Sequence, residues 1–314
     1  MSRPKPPDTF IQSFQMPYSR VGLLHLLVVY LVWSSTYLAF KIGLLNGFAP
    51  FWMGATRFIP AALLLLLYAR WRGWQILPSR NTLGKLALSG SLLWLGGTGL
   101  ILVATQYVPS GYVALMIATT PIWAATLEGL LDRKRPSGLL VLGLLIGLLG
   151  ILALNVPKLS TDAPTNLLAF SLLLISPLMW SSGTIYTQRH IASVEPVVIS
   201  SYQQLFGGLG FLLISIALGE PWHTPTALGW ASNLYLIVFG SLIAYTSYIL
   251  AVRLLPLSLV TTYAYINPVI ALLLGWVFLR EPLGIWTWIG GALVLLGVGL
   301  VFRSRMKPAV QPVV

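Results

Sequence analysis

Two basic side chains, Lys41 and Arg57, stand inside long apolar runs of a 314-residue chain that has seven acidic residues in all. A charge at mid-bilayer costs about 2.5–3.5 kcal/mol on insertion scales, so it normally faces protein or water. Lys41 lies one turn from the NGFAP loop and can equally snorkel to the headgroups or face a cavity. Arg57 lies about two turns inside its run, where a cavity role is favoured and a cation would attract a carboxylate. Residues three or four apart share a helix face, so Tyr30, Trp33, Tyr37 and Lys41 form one stripe. Pro177, Trp180, Thr184 and Gln188 form another. Lipid contact would favour Leu and Val, whereas these stripes carry hydroxyls, amides and an ammonium; both are expected to line a central cavity. Trp33 and Trp180 also suit plain packing between helices, and a cavity wall is packed on its far side.

Further polar or aromatic candidates follow the same logic. They are Trp94 and Thr98, Gln203 and Gln204, and Tyr245 and Tyr248. Met116 and Thr120 stand before Pro121, as Tyr263 and Asn267 stand before Pro268. Each proline removes a backbone hydrogen bond, freeing carbonyls near residues 117 and 264 that need partners such as Thr119, Thr120 or Asn267. The expected kink is either a hinge or a fixed bend. Aromatic faces for a side chain, with Arg or amide groups for a carboxylate, suit an amino acid. Tyr and Trp also gather at headgroups in any membrane protein.

No catalytic constellation accompanies these residues. There is no acid-rich metal motif, paired-histidine motif, Ser/His/Asp arrangement or phosphate-binding loop, and there is no cysteine. No metal, cofactor or enzymatic reaction is expected, a polytopic membrane enzyme being the rival class. Glu128 is the one carboxylate placed well inside a run, close to an Arg/Lys cluster that suits a salt bridge. Driving by a proton gradient usually needs a deep carboxylate, so movement down the solute's own gradient is expected first and proton antiport second.

The elements that hold these residues must be membrane helices. Charged residues make up 8% of the chain and hydrophobic ones 57%, with a mean hydropathy of +0.84. Soluble domains carry about 25% charged residues. The net charge of +12 is split into short clusters between apolar segments, which argues against a nucleic-acid partner and for membrane topology. Ten runs are long enough to span: about 21–45, 50–70, 83–105, 110–131, 137–156, 166–188, 196–218, 228–250, 257–279 and 283–302. Alternate connections hold fifteen Lys and Arg against two, Lys158 and Arg280, on the other side, which puts both termini in the cytoplasm.

Trp33-Ser34-Ser35 recurs as Trp180-Ser181-Ser182, an offset of 147 residues. The same offset carries Pro109 onto Pro256, Pro121 onto Pro268, and Gly143 and Gly150 onto Gly290 and Gly297. One register over so many positions indicates a duplicated unit. Five runs per half is an odd number, so the second copy must enter the bilayer upside down, as in many secondary transporters. The expected fold is an all-α polytopic membrane protein of ten transmembrane helices, two inverted five-helix repeats around a central cavity. The expected divisions are an N-terminal tail (1–20), a first repeat (21–156), a linker (157–165), a second repeat (166–302) and a C-terminal tail (303–314). One copy suffices to form a pathway; the oligomeric state is not legible.

These residues resemble the drug/metabolite transporter superfamily, specifically its EamA-type exporters. The resemblance rests on the start of each half (WSSTYLAFK, WSSGTIYTQ), on the stretches reaching a proline (VALMIATTP, VTTYAYINP), and on REPLGIWTWIGGALVLLGVGL before the end. It covers residues 21–302, and the aromatic richness is similar to that of the aromatic amino acid exporter branch. The resemblance implies export of amino acids or related small metabolites across a bacterial inner membrane.

Overall fold

The computed structural model describes residues 19–104, 107, 116–159, 167–222, 224–279 and 284–304; within these, the side chains of 37, 38, 41, 155, 157–159, 271, 272 and 274–279 are not described. Most of both tails, most of the linker, and the Pro109, Arg280 and Glu281 positions therefore lie outside the described residues. The described elements are all helical: α1 (Arg20–Leu45), α2 (Pro50–Trp71), α3 (Arg80–Ala104), α4 (Thr120–Asp132), α5 (Gly138–Leu159), α6 (Leu167–His190), α7 (Pro196–Ala217), α8 (Ala227–Leu254), α9 (Tyr263–Leu279) and α10 (Ile285–Ser304). Six of them, α2, α3, α6, α7, α8 and α10, are long and apolar enough to cross a membrane. Rows of exposed Leu and Ile, such as Leu142, Leu145 and Leu149 on α5, give the outside an apolar surface that would cost dearly in water but suits lipid.

Local sequence sets the helix ends. Ser19, Ser79 and Thr226 accept from the backbone N–H three residues on, and Pro50 and Pro196 occupy first turns, where a missing N–H costs nothing. At the end of α2, Gly73 takes a left-handed φ of 74°, which lets Trp74 N reach the Ala69 carbonyl at 3.0 Å.

The packing has an exchange pattern. Helix α2 packs along α7, and α5 along α10, each the same element of its half. The contact of α1 with α8 is matched by that of α6 with α3, and α1 with α9 by α6 with α4. Every major pairing survives swapping the halves. Two features invisible in the apolar pattern obey the same exchange: α3 widens into a π-helical stretch at Ser91–Gly99, and α8 does so at Leu236–Tyr245. Such stretches loosen the regular backbone ladder and often stand at functional sites.

The prolines behave differently from each other. At Pro121 the chain turns at residues 118–119, and the proline sits in the first turn of α4, where its missing N–H is tolerated. The open carbonyls are met locally, Thr119 Oγ1 donating to Met116 O at 2.6 Å and Thr120 Oγ1 to Ile117 O at 2.5 Å. In the second half the turn comes earlier, at Thr261-Thr262 after a single helical turn (Leu257–Val260), and Pro268 is interior to α9.

Candidate functional site

A cavity of about 300 Å³ lies between the middle of the bundle and the end at which α1 stops and α2 begins. It is walled by Trp33 of α1, Arg57 of α2, Trp94 and Thr98 of α3, Thr120 of α4, Trp180 of α6 and Tyr263 of α9. These seven of the candidate residues are brought together. Tyr37 and Lys41 belong to α1, but their side chains are outside the described set.

The remaining candidates do not line this cavity. Tyr30 bonds Thr262 Oγ1 at 2.5 Å, joining α1 to the turn before α9. Met116 packs in a small apolar cluster with Ala104 and Leu173. Gln188 donates to the Val252 carbonyl at 3.0 Å. Gln203, Gln204, Tyr245 and Tyr248 have no exposed surface, and Thr184 and Asn267 have 1%. Most of their polar atoms find partners between helices, Gln204 Oε1 being left without one among the described residues. Tyr248 Oη meets Thr184 Oγ1 at 2.6 Å and Trp180 Nε1 at 3.0 Å, and Tyr245 donates to Gln203 Oε1 at 2.7 Å. Gln203 in turn donates to Ser89 and Thr187, each at 2.8 Å. Polarity inside a membrane protein demands a partner, and a neighbouring helix answers that demand as well as a cavity does.

The wall facing the cavity is mainly apolar or small. Thr36, Phe40, Gly54, Phe58, Gly97, Ile101, Leu102, Ile117, Ser176, Pro177 and Phe211 complete it. Pro177 belongs to the stripe expected from the sequence; helical spacing from Trp33, Arg57 and Trp180 would have found Thr36, Gly54 and Ser176, whereas Phe40, Ile101 and Phe211 carry no such signal. Trp33 is the hub of an aromatic cluster, with ring centroids 5.8 Å from Trp180, 5.1 Å from Tyr248 and 4.9 Å from Tyr263. Pairs of this kind contribute about 0.5–1.5 kcal/mol each beyond burial. Trp180 continues the cluster to Trp94 at 5.6 Å, and Trp94 to Phe58 at 4.2 Å.

Helix α8 holds the charged wall in place through its widened stretch. Arg57 Nε donates to Ser241 Oγ at 2.9 Å, and its guanidinium carbon lies 4.7 Å from the centre of the Phe58 ring. A Cβ built on Gly240 would fall 2.7 Å from Arg57 Nη2, so a side chain there would push the guanidinium from this position. Trp33 Nε1 donates to the Gly240 carbonyl at 3.4 Å. In α3 the widened stretch also accepts from its neighbour, Ser176 of α6 donating to the Gly97 carbonyl at 2.8 Å, at positions that the 147-residue offset does not match to Trp33 and Gly240.

The repeated serines have a matched job as well. Ser181 of α6 donates to the Thr120 carbonyl at 3.3 Å. Ser34 of α1 meets the side chain of Asn267, whose amide, turned to donate, also reaches Tyr263 O and Tyr30 O, each at 3.2 Å. Thr120 and Asn267 are 147 residues apart and each precedes its proline. Each Trp-Ser-Ser therefore clasps the proline-bearing segment of its own partner pair, α6 to α4 and α1 to α9.

Among the described residues no Asp or Glu lines the cavity, and Arg57 has no ion-pair partner. The one ion pair found among them, Arg189 with Asp132, is at the exposed ends of α6 and α4. No cluster of metal-ligating side chains is found among the described residues either. The geometry offers one cation, aromatic faces and a few hydroxyls.

Comparison with known proteins agrees with this layout. The profile of the EamA-like transporter family matches residues 20–156 and again 167–303. The inner membrane transporter YedA of Escherichia coli (strain K12) is 34% identical over 298 residues, covering 92% of this chain and 94% of its own. The transporter YetK of Bacillus subtilis (strain 168) is 26% identical over 262 residues, covering 82% and 79%. A solved crystal structure shares the fold with a TM-score of 0.77 at 20% identity, covering 89% of this chain and 96% of its own. With both halves matched by one profile and apolar helices throughout, the chain belongs to the EamA-like transporter family, as a membrane-embedded, helical transporter of small molecules.

Proposed function

We propose that the protein exports amino acids, aromatic and other neutral ones foremost, or similar small metabolites across a bacterial inner membrane by alternating access. In this reading ten spanning helices form two inverted repeats with both termini cytoplasmic. The exchange pattern in the helix contacts supports it, because two similar halves can trade inward and outward roles around one site. Under that orientation the cavity faces the periplasm, and the aromatic cluster around Trp33 separates it from the cytoplasm. The observation that carries the substrate reading is Arg57, a cation on the cavity wall without a counter-charge among the described residues. A carboxylate there would supply the missing charge through charge-assisted hydrogen bonds.

The solute moves down its own gradient. Glu128 belongs to α4 and does not line the cavity, and the described wall holds no carboxylate to carry a proton beside the solute. Uptake of labelled amino acids into liposomes containing the purified protein tests this reading. Trans-stimulated counterflow is expected, with transport reduced at least about ten-fold by Arg57→Ala and weakened by Trp33→Ala. Unaltered transport in both variants would overturn the site. Dependence on an imposed pH gradient that disappears in Glu128→Gln would overturn the facilitator.

A further inference from the structure

The polar groups around the cavity are not equivalent, and their division of labour says which part of a ligand is read. The donors of the wall are nearly all engaged. Trp33 Nε1 is bonded to Gly240 O, and Trp180 Nε1 to Tyr248 Oη. The hydroxyls of Thr36, Thr120 and Ser176 each donate to a backbone carbonyl: Trp33 O, Ile117 O and Gly97 O. Trp94 Nε1 is a neutral wall donor that lacks a hydrogen-bond partner among the described residues. Arg57 is the charged exception. Its Nε is held by Ser241, and neither Nη has a hydrogen-bond partner among the described residues. The end of the guanidinium fork that remains is the one that takes both oxygens of a carboxylate side by side.

Nothing comparable awaits a ligand cation. No described acid lines the cavity. Glu220, close in sequence to the end of α7, has both carboxylate oxygens engaged at the start of α2, accepting from Phe51 N at 3.1 Å and Trp52 N at 2.8 Å. An ammonium in the cavity would find hydroxyl lone pairs and ring faces, which tolerate it, and the Arg57 charge, which opposes it. The remaining wall is ring and aliphatic surface from Trp33, Phe40, Phe58, Ile101 and Phe211.

Resting on the reading of this cavity as the transporter's binding site, we infer that its ligand class is small apolar or aryl monocarboxylates. The carboxylate on the Arg57 fork is the obligatory group, and the α-ammonium of an amino acid is dispensable. Ser241 and Gly240 are positioning residues for that fork, one by its hydrogen bond and the other by the absence of a side chain.

Three compounds of one skeleton separate the possibilities: phenylalanine, 3-phenylpropanoate and phenethylamine. Their binding to the purified protein in lipid nanodiscs is measured at neutral pH by calorimetry. The first two are expected to bind within about three-fold of each other, and the amine at least about ten-fold more weakly, the usual effect of losing one charge-assisted pair. Arg57→Gln should remove the preference, Arg57→Lys should restore part of it, and Gly240→Ala should weaken both carboxylates while leaving the amine unchanged. Phenethylamine binding as tightly as phenylalanine, or 3-phenylpropanoate failing where phenylalanine binds, overturns the inference. If none of the three binds, the inference falls too. The transport reading is then judged on its own by counterflow of other solutes in liposomes.

Discussion

The two halves place different side chains at matched positions, and the cavity exists on one side because of it. Thr98 and Ile101 of α3 line the cavity; 147 residues later stand Tyr245 and Tyr248 of α8, wholly buried. Gly54 and Arg57 of α2 also face the cavity, whereas their counterparts Ser201 and Gln204 have no exposed surface. The helix pairings are the same on both sides, so the backbone plan alone does not decide where space is left. Ring volume does, together with the hydrogen bonds that pin each ring: Tyr248 to Thr184 and Trp180, and Tyr245 to Gln203. For a carrier that works by exchanging the roles of its halves, these tyrosines are the groups that must move when the opposite face opens.

Substitutions can break or sharpen this contrast. The largest effect is expected from Tyr248→Ala, which empties the filled side. Loss of a buried aromatic ring costs about 3–5 kcal/mol, read as a lower melting temperature in detergent. Single cysteines near Thr184, introduced into a chain that has none of its own, should become reactive. Gly97→Leu does the reverse. A Cβ there already falls 2.8 Å from the Trp180 ring, so the cavity fills and ligand affinity should drop by about ten-fold or more, with overpacking costing about 1–3 kcal/mol. Removing the paired serines should cost least. Ser34→Ala is expected to lose about 1 kcal/mol and Ser181→Ala less, because Ser34 meets a side chain with several partners while Ser181 makes one bond of 3.3 Å. Equal losses would mean that the two clasps do not differ.

Much of the scaffold was legible in the chain, because length and continuity of apolar runs are what a bilayer selects. Eight of the ten expected runs meet a helix whose described bounds fall within four residues of them, and the duplication follows from the common 147-residue register. Arg57 was legible too, since a cation in an apolar run needs a reason. The polar residues of α7 and α8 do not line this cavity, and the sequence could not tell, because polarity in a membrane helix says that a partner exists, not whether it is a neighbour or a solute. Gln203 and Tyr245 have each other, and Ser89 of α3 and Thr187 of α6 supply the rest. Nor does any residue pattern announce the π-helical stretches, yet Gly97, Gly240 and Ser241, which shape the cavity and its cation, stand in them. The break ahead of α4 was expected as a bend at Pro121, since a proline reads alike in a first turn and in a helix interior.

One pair of helices takes no part in the cavity. Where α5 crosses α10 the backbones touch: a Cβ on Gly297 would fall 2.5 Å from Gly147 N, and one on Gly150 would fall 2.6 Å from Val294 N. Atoms that close act as interlocking teeth, so sliding one helix along the other would drive peptide groups into each other. Turning about the point of crossing leaves them in register. The pair is thus suited to hold together as one unit, apart from the cavity that Arg57 lines.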